Sequence, residues 1–155
     1  MKISLQKVLN AFLSVRSIEK EKVSNRFAYG ISKNRAKMQS DVDGIIASER
    51  IIMEEDKKRI DYCIAHAVKD DKGDPIIEII GKDARYKGVN ENDPEIIIFV
   101  KKLIELKKAH DELLKTETEI DFYMIPFEDI PNEISINDFE NLSIFINELT
   151  ITKGV

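Results

Sequence analysis

The sequence predicts an α+β protein that is mainly α: a long antiparallel helical hairpin with a small two-stranded β element and flanking short helices. Residues 23–67 contain no proline and place apolar side chains at steps of mostly three, four or seven, as a long amphipathic helix does. Asp93-Pro94-Glu95 has the residues of a helix start, and an apolar stripe follows it. Isoleucines follow the turn at residues 70–75, as in a short strand.

The first half of the chain predicts two helices. The first covers residues 3–18, with Ser4 as N-cap, and charged residues 19–22 connect it to the second. The second is the long helix over residues 23–67, with Ser24 as its cap. Gly30 and Gly44 lie inside it, and each costs up to ~1 kcal/mol relative to alanine, so the helix could break at either glycine.

The second half predicts a turn and strand over residues 70–81, a loop over 82–92 and a helix over 94–116. A strand over 117–125 and a closing helix over 135–149 complete a single domain of residues 1–155. The third helix is expected to pair antiparallel with the long one. Because two strands, 76–80 and 119–125, flank this third helix, a connection through it could place them side by side.

The composition predicts an intracellular soluble protein. The 155 residues are 43% apolar and 34% charged, and no apolar run approaches the ~20 residues of a membrane-spanning helix. Cys63 is the single cysteine, so no intrachain disulfide can form. The N-terminus shows no signal-peptide core.

Charge is distributed unevenly along the chain. Residues 1–40 carry a net charge of +7, residues 41–110 carry −3 and residues 111–155 carry −9. Opposite charges at the two ends can attract each other within one molecule or between copies, or they can steer a charged partner.

The sequence predicts no catalytic residue, no cofactor and no metal site. Cys63 and His66 share a helical face, but structural zinc needs four ligands. His110 lies on the apolar stripe of the third helix, which predicts a half-buried histidine between two helices. No phosphate-binding glycine loop or calcium loop is present. An enzyme whose acids converge on a metal stays a third hypothesis.

Charged stretches are instead the candidate contact surfaces. Glu54 to Arg59 is six charged residues in a row, so the long helix either projects into solvent there or is covered by a partner. The basic stretch around Phe27 and Tyr29 is the best candidate for nucleic acid, which the acidic pI near 5.2 disfavours. The candidate interaction residues are Arg26, Lys33, Arg35, Glu54, Glu55, Lys58, Arg59, Glu117, Glu119 and Asp121.

Several segments resemble those of a known family in the same order. They are Leu5–Ala11, Arg26–Asn34, the Asp71-Lys72-Gly73 turn, Leu106–Leu114, the acidic strand Glu117–Asp121, Ile125–Ile130 and the closing helix. This order resembles an uncharacterised family of small proteins encoded by tailed phages and prophages of Gram-positive bacteria. The resemblance implies a non-enzymatic minor virion or assembly protein and brings no catalytic residues with it.

The leading hypothesis is therefore a phage-type protein that acts by protein–protein contact, with itself as a homo-oligomer or with a larger phage assembly. It would be found in the cytoplasm of an infected or lysogenic bacterium or in the virion, and it would need neither nucleic acid nor membrane. The alternative is an anti-defence protein that binds and inhibits a host nuclease or sequesters its substrate or signal. The acidic C-terminal part would then imitate nucleic acid.

Overall fold

The computed structural model describes residues 1–18 and 23–147. In that part of the chain the helices are α1 (Leu5–Ile18), α2 (Asn25–His66), α3 (Pro94–Lys115) and α4 (Ile136–Leu142). The strands are β1 (Lys2–Ser4), β2 (Ile77–Ile80), β3 (Asp83–Tyr86) and β4 (Glu117–Glu119), with short 3-10 helices at Phe127–Asp129 and Ser143–Phe145. The predicted class, α+β and mainly α, is confirmed.

The helices begin at side chains that cap them. The Ser24 hydroxyl accepts a hydrogen bond from the N–H of Phe27 at 3.2 Å, and the Ser135 hydroxyl accepts one from Asp138 at 3.0 Å. Each cap satisfies an N–H that the helix itself leaves unpaired. Helix α2 runs unbroken for 42 residues, so neither glycine inside it breaks the helix.

The chain divides into two compact units. Unit 1 contains residues 1–46 and the chain from residue 112 onward, and unit 2 contains residues 47–111. Apolar side chains from α1, the first half of α2, and the chain after β4 fill the core of unit 1. Its largest fully buried members are Val8, Val15, Phe27, Ile31, Met38, Val42, Ile45, Ile125, Leu142 and Phe145.

The predicted pairing of strands 76–80 and 119–125 is wrong, because each forms a sheet with a different strand. Strand β2 pairs antiparallel with β3, which lies in the predicted loop 82–92. Gly81, at φ +67°, takes the first position of the two-residue turn between them, a position that favours glycine. Since this turn is local, β2 finds its partner within the hairpin.

The first helix begins at Leu5, two residues later than predicted, and its predicted cap is confirmed, since the Ser4 hydroxyl accepts a hydrogen bond from the N–H of Lys7 at 3.4 Å. Residues 2–4 form β1, which pairs antiparallel with β4 and places Ile3 opposite Thr118. The side chain of Ile3 is buried, and the N–H of Leu5 donates to the carbonyl oxygen of Thr116 at 2.9 Å. Residues 2–4 form a strand because a partner strand more than a hundred residues away pairs with them. The local apolar pattern does not indicate that partner.

The last two predicted elements are shorter than expected. Strand β4 ends at Glu119, and residues 120–126 continue outside any named strand. Helix α4 ends at Leu142, and Ile146 then forms a parallel bridge with Ile125. The predicted closing helix over 135–149 is α-helical to Leu142 and continues as a 3-10 helix over Ser143–Phe145, and the prediction is wrong at residues 146 and 147. Residues 148 and 149 lie outside the described part of the chain.

Unit 2 contains the second half of α2, most of α3 and the β2–β3 hairpin. The turn before the hairpin is built by Asp70, whose Oδ1 accepts hydrogen bonds from the N–H groups of Lys72 and Asp74, each at 2.9 Å. Four apolar residues are buried in this unit: Cys63, Ala67, Ile96 and Leu103. None of the described helices is both long and apolar enough to cross a lipid bilayer.

Candidate protein interface

The two helices of unit 2 run antiparallel and are joined by side-chain contacts along their length. Near one end, Nδ1 of His110 lies 3.1 Å from the hydroxyl oxygen of Ser48, and Nε2 lies 3.9 Å from a carboxylate oxygen of Glu49. The His110 side chain is mostly buried. It sits between the helices, where the sequence places it.

Glu55 forms the second contact. Lys102 donates to its Oε2 at 2.9 Å, and Lys58 donates to the same oxygen at 3.2 Å. The hydrogen bond from Lys102 is the largest influence on the Glu55 carboxyl and lowers its pKa below the usual 4.5; burial opposes this shift. The sequence predicted that the helix projects into solvent at Glu54 to Arg59 or is covered there by a partner. Glu55 is instead buried within the chain, because Lys102 of α3 pairs with its charge.

Tyr62 and Asp93 form the third contact. The Tyr62 hydroxyl donates to Oδ2 of Asp93 at 3.0 Å, while Oδ1 of Asp93 accepts from the N–H of Glu95 at 2.9 Å and caps α3. Burial raises the pKa of Tyr62 above its usual 10.0, and the bond to Asp93 raises it further. The Tyr62 ring stacks on His66 with ring centroids 4.1 Å apart.

In unit 2, the large apolar side chains that are exposed outnumber the apolar residues that are buried. Ten large apolar side chains are exposed within residues 47–111, all of which the structure describes: Ile51, Met53, Val68, Ile77, Ile79, Ile80, Ile97, Ile98, Val100 and Ile104. A concentration of exposed apolar residues in one small unit is a feature of surfaces that bind other proteins.

Part of this surface borders an open groove between α2, α3 and β3. The groove has a volume of about 440 Å³, and both apolar and charged residues line it: Arg59, Ile60, Cys63, Ala84, Arg85, Tyr86, Val89, Glu91, Ile96 and Val100. Met53 lies seven residues before Ile60 and Ile104 four residues after Val100, so helical periodicity places each on the same flank as its lining residue. Met53 is 71% exposed and Ile104 is 62% exposed.

The predicted interaction residues divide between the two units. Glu54, Lys58 and Arg59 lie in unit 2, where Arg59 donates to Oδ1 of Asp56 at 2.8 Å. The remaining predicted residues, apart from the buried Glu55, lie in unit 1: Arg26, Lys33, Arg35, Glu117, Glu119 and Asp121.

In unit 1, some of the charged side chains that were predicted to contact a partner form ion pairs within the chain. A guanidinium nitrogen of Arg26 lies 3.8 Å from Oδ1 of Asp129, and Lys37 Nζ lies 4.0 Å from a carboxylate oxygen of Asp121. Basic residues of the N-terminal part thus meet acidic residues of the C-terminal part in the same molecule. Such exposed pairs contribute little stability, but they bring together charges that the alternative function would need free.

Of the other predicted interaction residues of unit 1, two basic side chains lie near aromatic rings and two acidic side chains are exposed. Lys33 Nζ lies 5.3 Å from the ring centroid of Tyr29, and the guanidinium carbon of Arg35 lies 5.9 Å from that of Phe12. Glu117 and Glu119 are exposed on β4. Within residues 1–18 and 23–147 no group of three or more His, Cys, Asp and Glu side chains is placed to hold a metal ion.

The apolar surface of unit 2 was missed from the sequence, although a signal was present. Residues 96–100 are five consecutive apolar residues, and a helix that packs on one side cannot bury them all. Residues 76–80 likewise lack the alternation of a strand with one buried face.

No family model matches the chain, and neither the curated proteins nor the solved structures contain a significant match.

Proposed function

We propose that this chain is a non-enzymatic protein that acts by protein–protein contact, and that unit 2 is its contact region. The proposal rests mainly on the ten large apolar side chains that are exposed in residues 47–111, where only two large apolar side chains, Ile96 and Leu103, are buried. Covering such surface on association removes it from water, a favourable contribution of about 25 cal/mol for each Å² buried that is partly offset by the entropy lost on association.

The polar contacts of unit 2 support the same proposal. The bonds from Lys102 to Glu55 and from Tyr62 to Asp93 hold the two helices together with few buried apolar residues. An apolar flank is therefore left available to a partner. A partner that docks on preformed helices loses less conformational entropy than one that must order them.

The phage-type role follows from the resemblance described above and is part of this proposal. A minor virion or assembly protein works by fitting against other copies or other components. The nuclease-inhibitor alternative has less support, because Asp121 and Asp129 are both close to basic groups of the same chain.

Site-specific photo-cross-linking in the native host tests the proposal. A photoreactive amino acid replaces Met53 or Ile104 in unit 2, or Leu13 as the matched control, since Leu13 is a 52% exposed apolar residue of unit 1. We expect adducts of defined mass from Met53 and Ile104 and none from Leu13, with the partner identified by mass spectrometry. Absence of adducts from the unit 2 positions, or equal adducts from Leu13, would overturn the proposal.

A further inference from the structure

The outer edge of β2 has unpaired backbone groups. The N–H of Lys87 donates to the carbonyl oxygen of Ile76 at 2.9 Å, and directly opposed residues in an antiparallel pair alternate between bonded and non-bonded. The pairs Glu78–Arg85 and Ile80–Asp83 are therefore bonded, and the pairs that Ile77 and Ile79 form with β3 are not. Ile77 and Ile79 thus direct their N–H and C=O groups away from β3.

Nothing in the described part of the chain pairs with this edge. None of its hydrogen bonds reaches the outward backbone groups of Ile77 or Ile79. The side chains are also uncovered: Ile77 is 59% exposed, Ile79 80% and Ile80 54%. Natural proteins protect an edge strand with charges or proline. Here Glu78 is the single charge among three exposed isoleucines of β2, so the edge remains a template for another strand.

The sequence of this edge is symmetric. Residues 76–80 read Ile-Ile-Glu-Ile-Ile, which is the same in both directions about Glu78. In an antiparallel pair of two identical strands related by a two-fold axis at Glu78, Ile77 of each copy lies opposite Ile79 of the other. Both residues point their backbone groups outward, so this register bonds all four groups on each copy.

Other two-fold registers are poorer. An axis at Ile77 places Ile79 opposite Pro75, which has no N–H to donate. An axis at Ile79 places Ile77 opposite Gly81, which lies in the turn and not in the strand. The Glu78 axis is therefore the register that the edge itself selects.

We propose that two copies of this chain associate through β2, in antiparallel pairing with the two-fold axis at Glu78. The result is a four-stranded sheet in the order β3, β2, β2 of the second copy, β3 of the second copy. Ile77 and Ile79 of both copies then form one apolar cluster on the sheet face that they share with Tyr86 and Ala84. This inference rests on the proposed function and names the partner as a second copy.

Charge at the axis weakens the contact. The two Glu78 side chains lie directly opposite each other, and like charges in that position are destabilising. Within each copy Lys87 Nζ lies 3.6 Å from Oε1 of Glu78 and offsets part of this repulsion. The dimer is therefore expected to tighten several-fold in Glu78→Gln, and also when salt concentration is raised.

Sedimentation velocity over a wide range of protein concentration is the first test. We expect the wild type to be a reversible dimer and Ile79→Lys to be a monomer. The matched control is Ile136→Lys, because Ile136 in unit 1 is also an 80% exposed isoleucine. The control should dimerise like the wild type, and circular dichroism should show that both variants are folded.

Disulfide trapping tests the register. Opposed residues of a non-bonded antiparallel pair have Cα atoms about 4.5 Å apart, within the range of a disulfide. Oxidised Glu78→Cys should therefore form a covalent dimer. Ile80→Cys is the control, because two copies of residue 80 lie four residues out of register, roughly 13 Å apart, and cannot be bridged.

The outcomes separate this inference from the proposed function. A wild type that stays monomeric, an Ile79→Lys variant that dimerises like its control, or an Ile80→Cys variant that cross-links as readily as Glu78→Cys would overturn self-pairing. If Met53 and Ile104 still cross-link to a different protein, the proposed function stands without the dimer. If those adducts are also missing, both fail.

Discussion

Asn34 pairs with the backbone of Tyr123 through both ends of its side-chain amide. Its Nδ2 donates to the carbonyl oxygen of Tyr123 at 2.8 Å, and its Oδ1 accepts from the N–H of Tyr123 at 2.8 Å. Asn34 is fully buried on α2, and Tyr123 lies 89 residues later in the segment that follows β4. The amide thus supplies the donor and acceptor that a neighbouring strand would otherwise give, and fixes this segment against α2.

Replacing Asn34 by alanine should therefore destabilise unit 1. Both hydrogen bonds to the backbone of Tyr123 would be lost, and each such bond contributes about 0.5–1.5 kcal/mol. Urea unfolding followed by circular dichroism measures the change. Asn92→Ala, at an exposed position, is the control and should change the free energy of unfolding by less than about 0.5 kcal/mol. An Asn34→Ala variant as stable as this control would contradict the structural role given to the pair.

Two glycines of α2 should respond oppositely to the same substitution. A Cβ atom at Gly30 would lie 2.6 Å from Cγ1 and 2.8 Å from Cδ1 of the buried Ile125, whereas a Cβ at Gly44 meets no described atom within 4 Å. Gly44→Ala should add up to ~1 kcal/mol through helix propensity. Gly30→Ala gains the same propensity but overpacks the core, which costs about 1–3 kcal/mol, so its net effect should be destabilising.

Thermal unfolding of the two alanine variants checks this prediction. We expect the midpoint to rise for Gly44→Ala and to fall for Gly30→Ala. Equal shifts in the same direction would show that Ile125 does not constrain position 30.

These glycines also show what the sequence could and could not predict. A regular apolar period, capping residues and the absence of proline are local signals, and they were enough to predict α2 and α3 to within two residues at each end. Local signals do not show that Ile125, which is distant in sequence, packs against Gly30, nor whether the helix continues through this glycine. The pattern left that question open.

The strand pairing was predicted wrongly for the same reason: local signals do not show contacts between residues that are distant in sequence. Strand β1 exists because β4 lies beside it, and this contact joins residues more than a hundred positions apart in the sequence. A three-residue strand carries too little local pattern to reveal such a partner. The buried side of Glu55 was missed for a related reason, because Lys102 approaches from another helix.

The ion pair of Glu55 should make unit 2 sensitive to acid. Its pKa is lowered in the folded protein, mainly by the hydrogen bond from Lys102, so its stabilising effect is complete above the unfolded pKa near 4.5. It is lost as pH falls through the lower, folded pKa. Replacing Lys102 by methionine should reduce stability at neutral pH and flatten the fall in stability on the acid side of pH 4.5.

Urea unfolding at a series of pH values, followed by a fluorescence label in unit 2, measures this effect. Lys101→Met is the control, since Lys101 is the exposed neighbour of Lys102. An identical pH dependence for both variants would show that Lys102 does not set the ionisation of Glu55.

Asp93 has two functions in unit 2, and its substitutions should separate them. Alanine removes both the cap of α3 and the acceptor of the Tyr62 hydroxyl, and loss of the cap alone costs about 0.5–2 kcal/mol. Asparagine keeps a capping oxygen, so Asp93→Asn should be less destabilising than Asp93→Ala. Equal stability of the two variants would show that the cap contributes nothing.

Tyr62→Phe then isolates the second function through its dependence on pH. Burial and the bond to Asp93 raise the pKa of Tyr62 in the folded protein, so folding favours the neutral phenol. The stabilising effect of this group is complete below the unfolded pKa near 10.0 and is lost as pH rises through the higher, folded pKa. The wild type should therefore lose stability relative to Tyr62→Phe as the solution is made more alkaline than pH 10.0 in urea unfolding. Tyr29→Phe is the control, because Tyr29 is exposed in unit 1, and it should follow the wild type more closely. A Tyr62→Phe curve parallel to the wild type would mean that the phenol ionises as readily in the folded chain as in the unfolded one.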